Sequence, residues 1–378
     1  MTVYFITFGL SIALYCLLTF RKTIPSAPYD YVKGRAIFPF VVSAAPLVLV
    51  SGLRYNVGTD YFNTYYTGFY RVLNGVNFDH FEIGYWILTK IVQVFSDNAF
   101  VMLFLASLIT IGFIFAAFRS LSNNVAFSIF LLFISRYYFI SMNGVRQMMA
   151  CAVLLFALKY AITRSFKKYF ALCLLATSFH YSAIIVFPVY WLMNIEWNRT
   201  RLAIVFSASA VLGLFAFPVL VHIVPAGSKM GVILQSYGLA GPLFTIGTIL
   251  LNLFILTVYY LARSEGNESP WFRCFFTLQV FACASTLFLP SIPVVERIYW
   301  SFSLPSVVAI PGILKTISVQ WVRIIGTVAL VAVLFVYTVF DIGYLKDHQV
   351  VPYSSIIGHK AVHSSDFSYR ETHGLNWW

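Results

Sequence analysis

The sequence predicts an all-α, polytopic integral membrane protein, and three observations carry that prediction. Of the 378 residues, 60% are hydrophobic and 10% charged, whereas a soluble domain carries about a quarter charged residues. The apolar residues fall in repeated runs close to 20 residues long, the length a helix needs to cross about 30 Å of hydrocarbon. The runs are continuous, while a membrane β-barrel would read as alternating segments of about 10 residues.

The first run, "VYFITFGLSIALYCLLTF" (3–20), lacks the basic n-region and small-residue cleavage site of a signal peptide, so it reads as a retained helix. Further runs follow at 36–53, 99–118, 124–142 and 147–163, then a short pair at 169–181 and 182–195, then 202–223, 241–262, 273–290, 299–316 and 324–343. The basic stretches "RKTIPSAPYDYVKGR", the Arg119 turn, "RSFKK", "NRTR", "RSEGNESPWFR" and Lys315–Arg323 occupy alternate gaps. The positive-inside rule makes those gaps cytoplasmic.

One apolar stretch is set aside. "FEIGYWILTKIVQVF" (81–95) carries Lys90 and would span only about 22 Å as a helix. Counted as a crossing, it would also separate "RYNVGTDY" from "NGVRQ". It reads as a re-entrant or interface-lying helix. The expected count is therefore 12 crossings, or 10 if 169–195 is a hairpin dipping into the membrane around His180, with both termini outside. The chain reads as a single integral domain, 1–378, with an external loop 54–98, an external piece 224–240 and an external tail 344–378.

A net charge of +12 raises the question of nucleic acid. The Lys and Arg are scattered through short loops, the pattern that membrane topology produces. Membrane lipids and lipid phosphates are the expected partners, and no nucleic acid is. The cysteines Cys16, Cys151, Cys173, Cys274 and Cys283 lie in or beside apolar runs without CxxC spacing, so they read as small core residues. No metal site, P-loop or GxGxxG is visible, and no cofactor is expected.

On this topology the unusual polar residues gather on the outer face. "RYNVGTDYFNTYY" brings Arg54, Asp60 and Tyr61, Glu82 opens the short helix, "MNGVRQMMA" brings Arg146 and Gln147, "SFHYS" brings His180, and "VVERIYW" brings Arg297. Each has a plainer alternative. Arg54 and Arg71 snorkel to headgroups, Asp60 caps the next helix, His180 packs between helices, and the tyrosines form an aromatic belt. Arg136, within "ISRYYFI", lies inside a span and requires a partner or an aqueous cavity. The coincidence outweighs its members. Guanidinium groups bind phosphate oxygens bidentately, a carboxylate or imidazole takes a proton from a sugar hydroxyl, and aromatic rings stack on sugars. The set suits an anionic lipid-linked glycan.

"RYNVGTDYFNTYY", "FEIGYWIL", "MNGVRQMMACAVLLFALKYAI", "SFHYSAIIVFPVYWL", "ERIYW" and a late "VPY" (351–353) occur in an order that resembles the EpsG family, Wzy-like polymerases of bacterial O-antigen, capsule and exopolysaccharide. The resemblance runs from about residue 50 to 353. It implies a GT-C-like multi-span glycosyltransferase at the periplasmic face of the inner membrane, using no nucleotide sugar. The donor would be a growing glycan on undecaprenyl diphosphate and the acceptor a lipid-linked repeat unit, with a flippase and a chain-length regulator as partners. In that mechanism Arg146 and Arg297, with Arg54, would hold the diphosphate. Gln147, Tyr61 and Arg136 would line the substrate site. Asp60 would be the general base, with His180 and Glu82 as alternates.

A lipid-linked oligosaccharide flippase is the main rival. It would carry charges along a midplane path and show repeat symmetry. The charges here collect at one face, with Arg136 the exception. An O-antigen ligase would have its large periplasmic loop late in the chain, and neither GxSG nor an acyltransfer His/Asp pair is present.

Overall fold

The computed structural model describes residues 1–20, 35–76, 81–224, 242–263, 269–287 and 295–357. The expected basic loop before Arg35, the external piece 225–241, the centre of "RSEGNESPWFR", the end of the 273–290 run and the tail beyond 357 lie outside these residues. The described chain is helical; its one β pairing is an isolated bridge, Arg54 to Ser355.

In order, the helices are α1 (Thr2–Thr19), α2 (Phe38–Gly52), α3 (Thr67–Leu73), α4 (Ile83–Phe95), α5 (Ala99–Leu121), α6 (Val125–Ile134), α7 (Tyr137–Asn143), α8 (Val145–Ile162), α9 (Phe166–Phe179), α10 (Val189–Leu192), α11 (Arg199–Ile223), α12 (Pro242–Leu261), α13 (Pro270–Thr286), α14 (Val295–Ser303), α15 (Ser306–Thr316) and α16 (Gln320–Thr338). The centre is α8, with 72% of its apolar window buried against 22% for α1 and 17% for the stretch Gln320–Tyr344. Its alanines, Ala150, Ala152, Ala157 and Ala161, are fully buried and allow α5 and α9 to approach closely. Cys151, Cys173, Cys274 and Cys283 are buried and free, and Cys16 is exposed and free.

The all-α polytopic reading holds, with a smaller number of unbroken spans than the 10–12 expected. Among the described residues four helices are long and apolar enough to cross, Thr2–Thr19, Ala99–Leu121, Val145–Ile162 and Gln320–Tyr344, and up to six if each bent pair is one span. The difference is local. The runs 124–142 and 299–316 are bent by 58° and 44°, the first at Arg136, whose φ is 68°. The run 182–195 is a 3-10 turn, Tyr181–Val186, followed by the one-turn α10. The run 36–53 is a 15-residue helix containing Pro46.

The stretch set aside at 81–95 forms α4, 13 residues long. Tyr85, Thr89 and Val92 face inward, while Ile83, Trp86, Ile87, Ile91 and Val94 are exposed. Its polar side chains have local tasks. Lys90 Nζ donates to Val72 O (2.8 Å) and Gln93 Nε2 to Phe69 O (2.8 Å), satisfying the last carbonyls of α3.

One end of the bundle is sewn together by Arg54, which is 1% exposed. Nε donates to Val57 O (3.3 Å), Nη1 to Ser51 O and to Ser107 Oγ (3.3 Å), and Nη2 to Met142 O (3.1 Å). Apart from Val57, in the loop after α2, these groups belong to α2, α5 and α7. The segment after α16 is strapped across the same corner: Tyr55 N–H donates to Ser354 O, Ile356 N–H to Leu53 O, Gly58 N–H to Gln349 O and Thr59 N–H to His348 O. Tyr353, from the late "VPY", donates from Oη to Val50 O (3.0 Å). Gly58 is required here because its φ is +105° and an added Cβ would lie 2.8 Å from Met142 O.

Arg54→Ala should leave several buried carbonyls without donors, at about 1–3 kcal/mol each. The expected result is a Tm several degrees lower with loss of monodisperse protein on fluorescence-detected gel filtration. Arg54→Lys should recover only part, because one ammonium cannot reach the same acceptors. Wild-type stability in the Ala variant would remove Arg54 from this role.

Candidate functional site

Asp60, Glu82, Arg146, His180 and Arg297 come together at the Arg54 end of the bundle. Each is delivered by an element terminus: Glu82 precedes α4, Arg146 opens α8, His180 ends α9, Arg297 lies in the first turns of α14, and Asp60 precedes the π-helical turn Tyr61–Tyr66.

Glu82 is the junction. Its Oε2 pairs with Arg146 Nη1 and its Oε1 lies 2.5 Å from His180 Nδ1. The approach of α4 to α9 that makes this possible rests on Gly84, where an added Cβ would lie 2.8 Å from the Ser178 backbone. Burial pushes the Glu82 carboxyl upward, but the His180 hydrogen bond and the Arg146 cation outweigh it and hold the group below its ordinary range. Glu82 is thus a poor proton acceptor and a good anchor. Among the described residues His180 Nε2 has no partner, so the Glu82–His180 pair presents an oriented imidazole. The Arg146 guanidinium lies 5.6 Å from the Phe81 ring centre and 6.0 Å from that of Tyr65.

Asp60 is the contrasting carboxylate. The helix-cap reading does not describe it, since its side chain makes no cap hydrogen bond. Its backbone N–H donates to Asn143 Oδ1 (2.9 Å), which also accepts from Thr59 Oγ1 (2.9 Å). Asn143 Nδ2 in turn lies 2.9 Å from His348 Nδ1. Burial pushes the Asp60 carboxyl above its ordinary range, and the charges of Arg297, Arg146 and His348 offset this only in part. Arg297 is exposed, and among the described residues its guanidinium donates no hydrogen bond.

Four of the sequence-selected residues do other work. Arg54 is sealed beneath the site by carbonyls, so it is a strut and does not reach a bound diphosphate directly. Tyr61 is fully buried, donates to Arg54 O (3.2 Å) and lies 5.8 Å from the Arg54 guanidinium. Gln147 is consumed in positioning: Nε2 donates to Arg297 O (2.8 Å) and Oε1 accepts from Ser182 Oγ (3.1 Å). Arg136 lies apart, at the α6–α7 break, paired with Asp341 Oδ2 (2.5 Å) and 4.3 Å from the Tyr337 ring centre. All four were expected to touch substrate, and a low-dielectric interior instead assigned each a protein partner.

Asn143, His348, Ser182 and Tyr65 belong to the site and were not singled out from the sequence. Asn143 stands inside the quoted "MNGVRQMMA", and His348 two residues before the final valines that lead into "VPY". Among the described residues no three His, Cys, Asp or Glu side chains group as a metal centre.

The raised Asp60 group fixes the sign of a stability effect. The folded state holds the Asp60 proton more tightly than the unfolded chain, so ionising it opposes folding as pH rises through that window. Asp60→Asn should therefore raise Tm at pH 7, with the gain fading as pH falls toward about 4, the ordinary carboxyl range. A lower Tm at pH 7 than the wild type would contradict the half-buried, uncommitted state of this carboxylate.

No curated protein and no solved structure matches the chain. The family model described as the EpsG family matches residues 37–355, which includes every residue of the cluster, and the chain belongs to that family.

Proposed function

We propose that this protein is a polysaccharide repeat-unit polymerase. It transfers a growing glycan from undecaprenyl diphosphate to a lipid-linked repeat-unit acceptor at the periplasmic face of the bacterial inner membrane. Membership of the EpsG family supports a polysaccharide-polymerase type of membrane protein in general terms. The single observation that carries the finer reading is the convergence of an uncommitted carboxylate, Asp60, with the cations Arg297 and Arg146 at the termini of the bundle.

In the proposed step the acceptor hydroxyl attacks the anomeric carbon while Asp60 takes its proton. The bond from that carbon to the diphosphate oxygen breaks, and the departing diphosphate gains charge beside Arg297 and Arg146. Cations there stabilise the transition state more than the ground state. Glu82 keeps Arg146 and His180 in place, and His180 Nε2 is the alternative base. A GT-C-like architecture, together with a flippase and a chain-length regulator as partners, belongs to the same proposal. The flippase reading loses its main support, because the Arg136 charge is met by Asp341.

Deleting the gene should leave surface core carrying one repeat unit, whereas loss of a flippase or ligase leaves none. Arg297→Ala should lower polymerisation by roughly 10²–10³-fold, the size of a lost transition-state donor. Asp60→Asn should lower it by roughly 10²–10⁴-fold. Both are read as collapse of the glycan ladder on a gel at matched protein level. Full ladders from Arg146→Ala and Arg297→Ala would end the diphosphate assignment.

A further inference from the structure

A groove of about 350 Å³ runs between α2 and α5 on the outside of the bundle. Phe40, Val48, Phe104, Gly112 and Phe115 are among its walls, and of its lining residues Arg119 is the one that is charged. The groove begins near the site end, where Gly52 packs on Phe104, and finishes at the opposite end of α5. Along α5 the lining runs from Phe104 to Arg119, a rise of about 22 Å, enough to take an acyl chain through one hydrocarbon leaflet of about 15 Å.

The Arg119 end is built for an anion. Arg119 Nε donates to Arg35 O (2.7 Å), which orients the guanidinium, and among the described residues its two terminal nitrogens have no partner. Arg35 Nη1 donates to Ser122 O (2.8 Å) and Phe118 O (3.4 Å), so it supplies donors to the last turn of α5. A guanidinium with two free nitrogens is a bidentate phosphate fork. We propose that this groove holds an acyl chain of an anionic phospholipid whose phosphate rests on Arg119. A polyprenyl tail entering from the catalytic cluster would fill the apolar walls and leave Arg119 without a role, so the charge selects the phospholipid. The bound lipid would clamp α2 against α5, the pair that Arg54 joins at the other end. The inference is independent of the polymerase reading, and glycan ladders are scored separately from it.

The test uses the full chain, purified from native membranes in mild detergent and examined by native mass spectrometry. One anionic phospholipid per chain should survive detergent washing. In titration, phosphatidylglycerol should bind at least tenfold more tightly than phosphatidylcholine. Arg119→Gln should abolish that preference and Arg119→Lys should keep part of it. Gly112→Leu should weaken both lipids, since an added Cβ at Gly112 meets nothing within 4 Å and a longer side chain has room in the groove. Val101→Leu, on the exposed face of α5 beyond the groove, should change nothing. Equal binding of the two lipids by the wild-type chain would overturn the proposal, as would no retained lipid. Recovery of a polyprenyl diphosphate in place of phospholipid would overturn it too, and these readouts stand even if a variant does not fold.

Discussion

A guanidinium sealed inside a membrane protein is the constraint on which the rest of this corner depends. Arg54 is 1% exposed, and an isolated buried cation is expensive in low dielectric. What compensates it is a ring of acceptors: Ser51 O in the last turn of α2, Met142 O near the end of α7, Ser107 Oγ and Val57 O. Two helix C-termini carry partial negative charge of about half an electron each, so the cation neutralises two unsatisfied ends at once. Satisfying it forces α2, α5 and α7 to converge. That convergence fixes where the chain leaves α2, and so where Asp60 lies relative to Asn143 and Arg146.

The two carboxylates above Arg54 show how environment divides roles between like groups. Glu82 has its oxygens committed to Arg146 and His180 and is held below its ordinary range. Asp60 accepts no hydrogen bond among the described residues and is pushed above its range. Asp60 lies near Arg297, whose guanidinium donates no hydrogen bond among the described residues; under the proposed function that pair moves a proton while stabilising an anion. The paired carboxylate is an arrangement for holding geometry. Asn143 ties the first to the strap through His348, so the position of Asp60 depends on a segment more than 200 residues away.

Legibility from sequence followed the range of the interaction. The membrane class and the helical content rested on composition and run length, and these survive. Asp60, Glu82, Arg146, His180 and Arg297 were found because charged residues at the ends of apolar runs stand out. Their division of labour was not legible, because sequence shows a residue type without the direction of its side chain. Arg54, Tyr61 and Gln147 have the chemistry of ligand contacts, and the fold turned each inward onto a carbonyl or amide. Asn143 and His348 escaped because their importance is a contact between distant segments. Among the described residues, 3-10 turns and bends interrupt runs that hydropathy reads as continuous, so fewer of them are single unbroken helices.

One of those bends bears directly on the site. A straight helix over 125–143 would carry Met142 and Asn143 away from α2; the 58° turn at Arg136 re-aims them toward Arg54 and Asp60. Arg136 adopts φ 68° to make the turn, a conformation that costs on the order of 1–3 kcal/mol for a non-glycine residue. Irregular backbone at membrane depth survives only where protein or a polar cavity surrounds it. Here Asp341 and the Tyr337 ring meet the side chain, while Tyr137 Oη donates to Ser303 Oγ (2.6 Å) across the gap to α14. Asp341 lies at the end of the last long helix, just before the strap that carries His348. The same stretch of chain therefore holds the bend that aims Asn143 and supplies the histidine that Asn143 grips.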